Sequence, residues 1–162
     1  TDWGKQPIKF RVDVASMGKL GFDIVFSELS ENDRKFCQEA VKNYNGYKNI
    51  VWQGDQYRLV NPHENDMASL MYVSKDKSGA VVFSYFTSNR QRLTTDLAPI
   101  CLKGLDPAKN YTIEETNRYP GARTLPNSGK VYSGDFLMKA GINPGVSQNR
   151  TSVVLLISEV KQ

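Results

Sequence analysis

Few side chains in this sequence have the types and spacing that chemistry requires. His63 is the only histidine, so a histidine metal site, a Ser-His-Asp triad or a Cys-His pair would each have to pass through it. It stands in the polar run Asn61, Pro62, His63, Glu64, Asn65, Asp66, which predicts a solvated loop rather than a ligand. Gly18, Lys19, Leu20 and Gly21 have too few residues between the glycines for a phosphate cradle and lack the Gly-Lys-Ser/Thr ending. Carboxylate pairs remain, because cleavage of a sugar acetal uses two, roughly 5–10 Å apart. The candidates are Asp13, Asp23, Glu28, Glu114 and Glu115. Glu114 and Glu115 are neighbours in a strand-like run and must face opposite ways. Asp13 either points into a barrel interior or pairs with Lys9 or Arg11. No intact acid–base pair is expected. Trp3 and Trp52 are the only tryptophans; sugar rings stack on such side chains, but packing in a core or at a seam is the expectation for both.

The elements that must position these residues follow from periodicity. Ile8, Phe10, Val12 and Val14 alternate with Lys9, Arg11, Asp13 and Ala15, a period of two that predicts a strand. A glycine-punctuated turn, Met17 to Gly21, follows. Ser30 with Glu31 and Asp33 reads as a helix start. Phe36, Cys37, Ala40, Val41 and Tyr44 give the helix one apolar face, and Asn45-Gly46 is expected to close it.

From Ile50 onward the texture is β. Runs 51–59, 68–74, 80–86, 100–103, 111–115, 130–133 and 152–160 are separated by turn residues. Asp76, Lys77, Ser78 and Gly79 predict a tight hairpin with Gly79 at positive φ. About seven strands with no second helical pattern predict a mainly β, antiparallel β-sandwich. A lone strand–helix pair cannot bury both faces of its strand, so the first part reads as one βα unit of a larger barrel. The division expected is 1–49 and 50–162, with a seam near Tyr47 to Gln53.

Composition excludes several classes. Hydrophobic residues at 40% and charged residues at 23% are those of a globular protein. The longest apolar run, Val153 to Ile157, is far short of the ~20 residues a membrane span needs, so no membrane partner is expected. The net charge of +4 is scattered, without the basic stripe of a nucleic-acid binder. Cys37 and Cys101 are expected in the core, fitting a reducing compartment without requiring one. Asn110 to Thr112 and Asn149 to Thr151 match the short glycosylation pattern, which carries little weight alone. Thr1 to Lys5 reads as a loop already under way, so a longer parent protein is expected.

Lys9 to Ile24, with its Arg-x-Asp-Val-Ala strand and Met-x-Gly-x-x-Gly turn, resembles the final barrel strand and turn of glycoside hydrolase family 36 α-galactosidases. Leu29, Ser30 and Glu31 are similar to the start of that family's last barrel helix. Gln53 to Leu59 resembles its Gly-Asp-x-Tyr-Arg-Leu linker strand. Leu102 to Pro107, and Tyr132 to Met138 followed by Ala140 and Gly141, resemble its C-terminal domain. The resemblance implies a bacterial, cofactor-free and metal-free retaining hydrolase of terminal α-galactosides, with an Asp nucleophile and an Asp acid–base both upstream of Thr1. On that reading this piece is accessory and inactive alone. Its partners are the rest of the barrel, the α-galactoside and, in an oligomer, other copies. Met17 and Gly18, at the C-terminal end of a barrel strand, would border the catalytic face, as would Asp2 and Trp3 in the loop before it. None of the four is expected to be catalytic. The compartment is cytoplasm or periplasm. A free-standing carbohydrate-binding β-sandwich is the alternative.

Overall fold

The computed structural model describes residues 6–87 and 99–161. Its frame is one antiparallel sheet of six strands: β1 (Asp55–Val60), β2 (Met67–Val73), β3 (Gly79–Phe86), β4 (Asn110–Thr116), β5 (Val131–Ser133) and β6 (Ser152–Glu159). Their order is β1-β2-β3-β6-β4-β5. The central pair, β3 and β6, is composed largely of β-branched, leucine and aromatic residues, and Gly79 to Tyr85 is buried throughout. Both faces of this pair are covered. Flanking β2 alternates buried Met67, Ser69, Met71 and Val73 with half-buried neighbours, the pattern of a strand with one drier side.

One face carries the larger core. Met71, Val73, Val82, Tyr111, Ile113, Val153, Leu155 and Ile157 pack there against Ile100, Leu102, Leu105, Leu125, Ile142 and Val146. The fold is therefore mainly β, an antiparallel sandwich whose second layer is built from extended loop segments rather than long strands. The strand expected at 100–103 reduces to a single antiparallel bridge, Ile100 to Ile142. Cys101 consequently lies exposed, contrary to expectation, whereas Cys37 is buried.

A short helix absent from the sequence reading, α3 (Gly134–Lys139), also joins this layer through Leu137. The Ser133 hydroxyl accepts from the Phe136 N–H at 3.2 Å, and Lys139 pairs with Asp135 at 2.8 Å. Gly134 admits no side chain, because a Cβ would land on the Asp106 carbonyl.

In the hairpin between β2 and β3 it is Lys77, not Gly79, that takes the positive φ, at 57°. Asp76 makes this possible. Its carboxylate accepts from the Ser74 hydroxyl at 2.7 Å and from the Ser78 N–H at 3.0 Å, an Asx-type turn that tolerates the left-handed residue. Gly79 instead lies close under the Ile50 side chain, whose tip a Cβ would meet at 3.2 Å.

The opposite face carries helices α1 (Ile8–Ala15) and α2 (Glu31–Gln53). The strand expected at Ile8–Ala15 is a helix. A strand needs neighbours for its N–H and C=O groups, and a helix satisfies them internally. Ile8 and Val12, four apart, then share a face and pack with Phe36, Cys37 and Ala40. Phe10 meets the Tyr85 ring edge-on at 5.5 Å. The segment thus folds back onto the sheet, but not as a strand.

Helix α2 starts where expected, with the Asp33 N–H on the Ser30 hydroxyl at 3.1 Å. It does not stop at Asn45-Gly46. Tyr44, Tyr47 and Val51 extend its buried stripe onto Val81, Phe83 and Val154, and that burial outweighs a mid-helix glycine costing about 1 kcal/mol. The helix runs unbroken through the seam expected at Tyr47 to Gln53. Among the described residues no helix is long and apolar enough to cross a membrane.

Candidate functional site

Polar groups converge at two places, both on the helical face. The first is Asp13, on α1 and fully buried. Its carboxylate accepts from Lys9 Nζ at 2.5 Å, the Ser152 hydroxyl at 2.7 Å and Asn117 Nδ2 at 3.1 Å. Its backbone carbonyl accepts from the Tyr85 hydroxyl at 2.9 Å. Asn117 in turn accepts from Asn43 of α2 at 3.2 Å. One carboxylate therefore ties α1 to the ends of β4 and β6. Burial pushes its pKa upward, against the opposing pull of Lys9 and the hydrogen bonds from Lys9, Ser152 and Asn117.

The second convergence is the turn after α1. The Tyr72 hydroxyl, on β2, donates to the Met17 carbonyl at 3.1 Å. The Tyr44 hydroxyl and Trp52 Nε1, both on α2, donate to the Gly18 carbonyl at 2.5 and 3.3 Å. Trp52 Nε1 also donates to the Tyr44 hydroxyl at 3.0 Å. Trp52 is 50% exposed, with Lys48 Nζ 5.7 Å from its ring centre. It therefore rests on the helix surface instead of being enclosed in a seam.

Of the residues singled out from sequence, Met17 and Gly18 lie at this turn, Met17 half-buried and Gly18 exposed. Asp2 and Trp3 lie outside the described residues. His63 is exposed in its loop, where its N–H donates to the Asn61 side chain. No group of His, Cys, Asp and Glu suited to a metal ion occurs among the described residues.

The carboxylates do not assemble into an acid–base pair. Asp13 is sequestered, and Asp23 and Glu28 are exposed. Glu114 accepts from Ser128 at 3.0 Å. Glu115, facing the other way, is held by Arg150 at 2.6 Å with its side chain 1% exposed. A cleft of about 690 Å³ lies beside the start of α1, with Arg11, Asp33, Tyr119 and Arg150 in its wall. Tyr119 and Asp33 are already hydrogen-bonded to each other at 2.9 Å, and Ser152, which also lines the cleft, donates its hydroxyl to the buried Asp13 carboxylate that Lys9 already pairs. Asn117, Tyr72 and Tyr85 escape sequence reading because they stand far along the chain from the segment they hold, and no local spacing signals such partners.

Comparison with known proteins agrees with this picture. The profile of the "Glycosyl hydrolase family 36 C-terminal domain" matches residues 67–157, more than half of the chain. Alpha-galactosidase AgaA of Geobacillus stearothermophilus is 31% identical over 156 residues, which is 96% of this chain and 19% of that protein. Alpha-galactosidase 1 of Pediococcus pentosaceus is 30% identical over 89% of this chain and 18% of its own. The crystal structure of the family 36 α-galactosidase AgaB from Geobacillus stearothermophilus superposes with a TM-score of 0.79 at 28% identity, over 97% of this chain and 20% of that one. The chain spans about a fifth of the length of these relatives. It belongs to glycosyl hydrolase family 36, matching the C-terminal domain of that family.

Proposed function

We propose that this chain is the C-terminal part of a retaining α-galactosidase that hydrolyses terminal α-galactosides of the raffinose and melibiose type. Residues 1–49 belong with the end of its catalytic barrel, and residues 50–162 are the sandwich that braces it. The chain is accessory: it contributes structure, and the reacting carboxylates belong to the rest of the enzyme. The observation that carries this reading is the state of its own candidate carboxylates. Asp13 and Glu115 are buried and bonded to Lys9 and Arg150, and Asp23 and Glu28 stand exposed. Retaining hydrolysis needs two carboxyl groups facing one bond at about 5 Å. The names of the relatives supply the activity, and the match at the C-terminal domain supplies the role.

The partner on this reading is the catalytic part. The exposed apolar side chains of the helical part, Val14, Val25, Phe26 and Trp52, offer it a surface. The test is hydrolysis of a chromogenic α-galactoside by the isolated chain beside the assembled enzyme. Activity in the assembled enzyme and none in the chain is expected. Turnover by the chain alone would overturn the accessory role.

A further inference from the structure

Between the turn after α1 and the start of α2 runs a segment whose backbone the fold leaves unpaired. Its burial has a period of two: Leu20, Phe22 and Ile24 are half-buried, and Lys19, Gly21 and Asp23 are exposed. That is the alternation of a strand, and no residue from 19 to 24 takes a positive φ. The half-buried three pack onto the cluster that Ile8, Val12, Phe36 and Ala40 form between α1 and α2. Yet among the described residues no backbone N–H or C=O of residues 19–24 makes a hydrogen bond. Both ends of the run are fixed. The Gly18 carbonyl before it is held by Tyr44 and Trp52, and the Val25 carbonyl after it accepts from the Glu28 N–H at 3.1 Å. The other side lies open. A Cβ at Gly21 would meet nothing within 4 Å, and Val25 and Phe26 stand exposed beyond the run. One helix precedes the segment and one follows it, both packed on its apolar side. Helix, extended segment, helix is the chain order of a parallel sheet, whose inner strands pair along both edges.

We propose that residues 19–24 are an unpaired strand, and that its partners are two strands of the catalytic part, one on each edge. This rests on the reading above, in which residues 1–49 belong with the catalytic barrel. It moves the barrel strand from Ile8–Ala15, which is α1, to residues 19–24. A backbone already held at both ends spends little entropy on pairing. A second copy of the chain fits less well, because two such segments joined edge to edge leave their outer edges bare.

The experiment compares backbone amide exchange in the isolated chain and in the assembled enzyme. In the isolated chain the amides of residues 19–24 exchange close to the rate of an open peptide, while those of α2 and β3 stay protected. In the assembled enzyme the whole run slows by about a hundredfold or more. Amides as fast there as in the isolated chain, with α1 and α2 protected, overturn the proposal. Protection of every second amide alone overturns pairing on two edges, because alternate residues of a strand point their N–H groups to opposite sides. Protection that rises with the concentration of the isolated chain overturns the choice of partner in favour of a second copy. The variant Gly21→Pro removes one N–H from the run. It leaves the thermal midpoint of the isolated chain in place, since that N–H bonds nothing there, and lowers that of the assembled enzyme by several degrees. Equal drops in the two overturn the pairing, by showing that the residue serves the chain's own fold. An assembled wild type that cleaves no α-galactoside overturns the proposed activity, and the exchange pattern still decides the strand.

Discussion

At the scale of single residues, Asp13 shows how one buried charge can specify an arrangement. Three side-chain donors from three places surround its carboxylate, so truncation would strand Lys9, Ser152 and Asn117. Asp13→Ala should cost about 3 kcal/mol of stability in urea unfolding. The pH dependence has a definite sign. The folded pKa is raised above the ordinary carboxylate value, chiefly by burial, so the proton is bound more tightly in the folded state. Stability from this group is full below the unfolded value and is lost as pH rises through the folded one. The gap between wild type and Asp13→Ala is therefore expected to be widest near the acid end and to narrow towards neutrality; a gap that widens instead would refute the assignment. Gly134 gives a second prediction. A Cβ there would collide with the Asp106 backbone, which cannot swing aside as a side-chain tip can. Gly134→Ala should cost about 2–3 kcal/mol, read as a lower urea midpoint.

At the scale of elements, stability is distributed unevenly. Strands β3 and β6 pair along their whole length and are buried on both faces. Helix α1 has eight residues and no side-chain cap, well below the ~12–15 residues at which isolated helices become even marginal. It persists through what it touches: Ile8 and Val12 in one cluster, Phe10 on Tyr85, and the Tyr85 hydroxyl on the Asp13 carbonyl. Tyr85→Phe should raise amide exchange in α1 several-fold while leaving β3 and β6 protected, because local opening draws on the least anchored unit. Uniform acceleration across the sheet would show that α1 opens only with the whole fold. The β2–β3 hairpin depends likewise on Asp76, whose pKa is held low by the Ser74 and Ser78 hydrogen bonds. Its contribution is present above the ordinary carboxylate range and fades as pH falls. Asp76→Ala should lower the urea midpoint at neutral pH and make little difference in strong acid.

At the scale of the molecule, the sheet separates a face closed by loops and α3 from a face covered by helices. Loops and α3 seal one side into a continuous core. The other side carries α1, α2, the braced turn and several of the exposed apolar residues. Supplying the catalytic part without this chain should therefore give an enzyme with lower thermal stability, and adding the chain in trans should restore some of it. A catalytic part equally stable without the chain would argue against a bracing role. Such coupling is expected where an apolar surface is shared between two parts of one protein.

Much of this was legible in the amino-acid order. β-rich runs bounded by turn residues placed β2, β3, β4 and β6, Ser30 placed the start of α2, and five spaced motifs placed the chain in its family. These signals are local: a cap, a turn or a two-residue period is complete within a few positions. The tertiary structure decided the rest. Ile8–Ala15 has the alternation of a strand and became a helix, because as a helix it brings Ile8 and Val12 onto one face against Phe36, Cys37 and Ala40. Asn45-Gly46 has the form of a helix end and was overrun, because Tyr47 and Val51 had the sheet to bury against. Asp13 was readable as a carboxylate that pairs with Lys9, but not as the hub of a network reaching Asn117 and Ser152, more than a hundred residues away. Backbone satisfaction and burial are settled by what arrives from elsewhere in the chain, and local spacing holds no record of it.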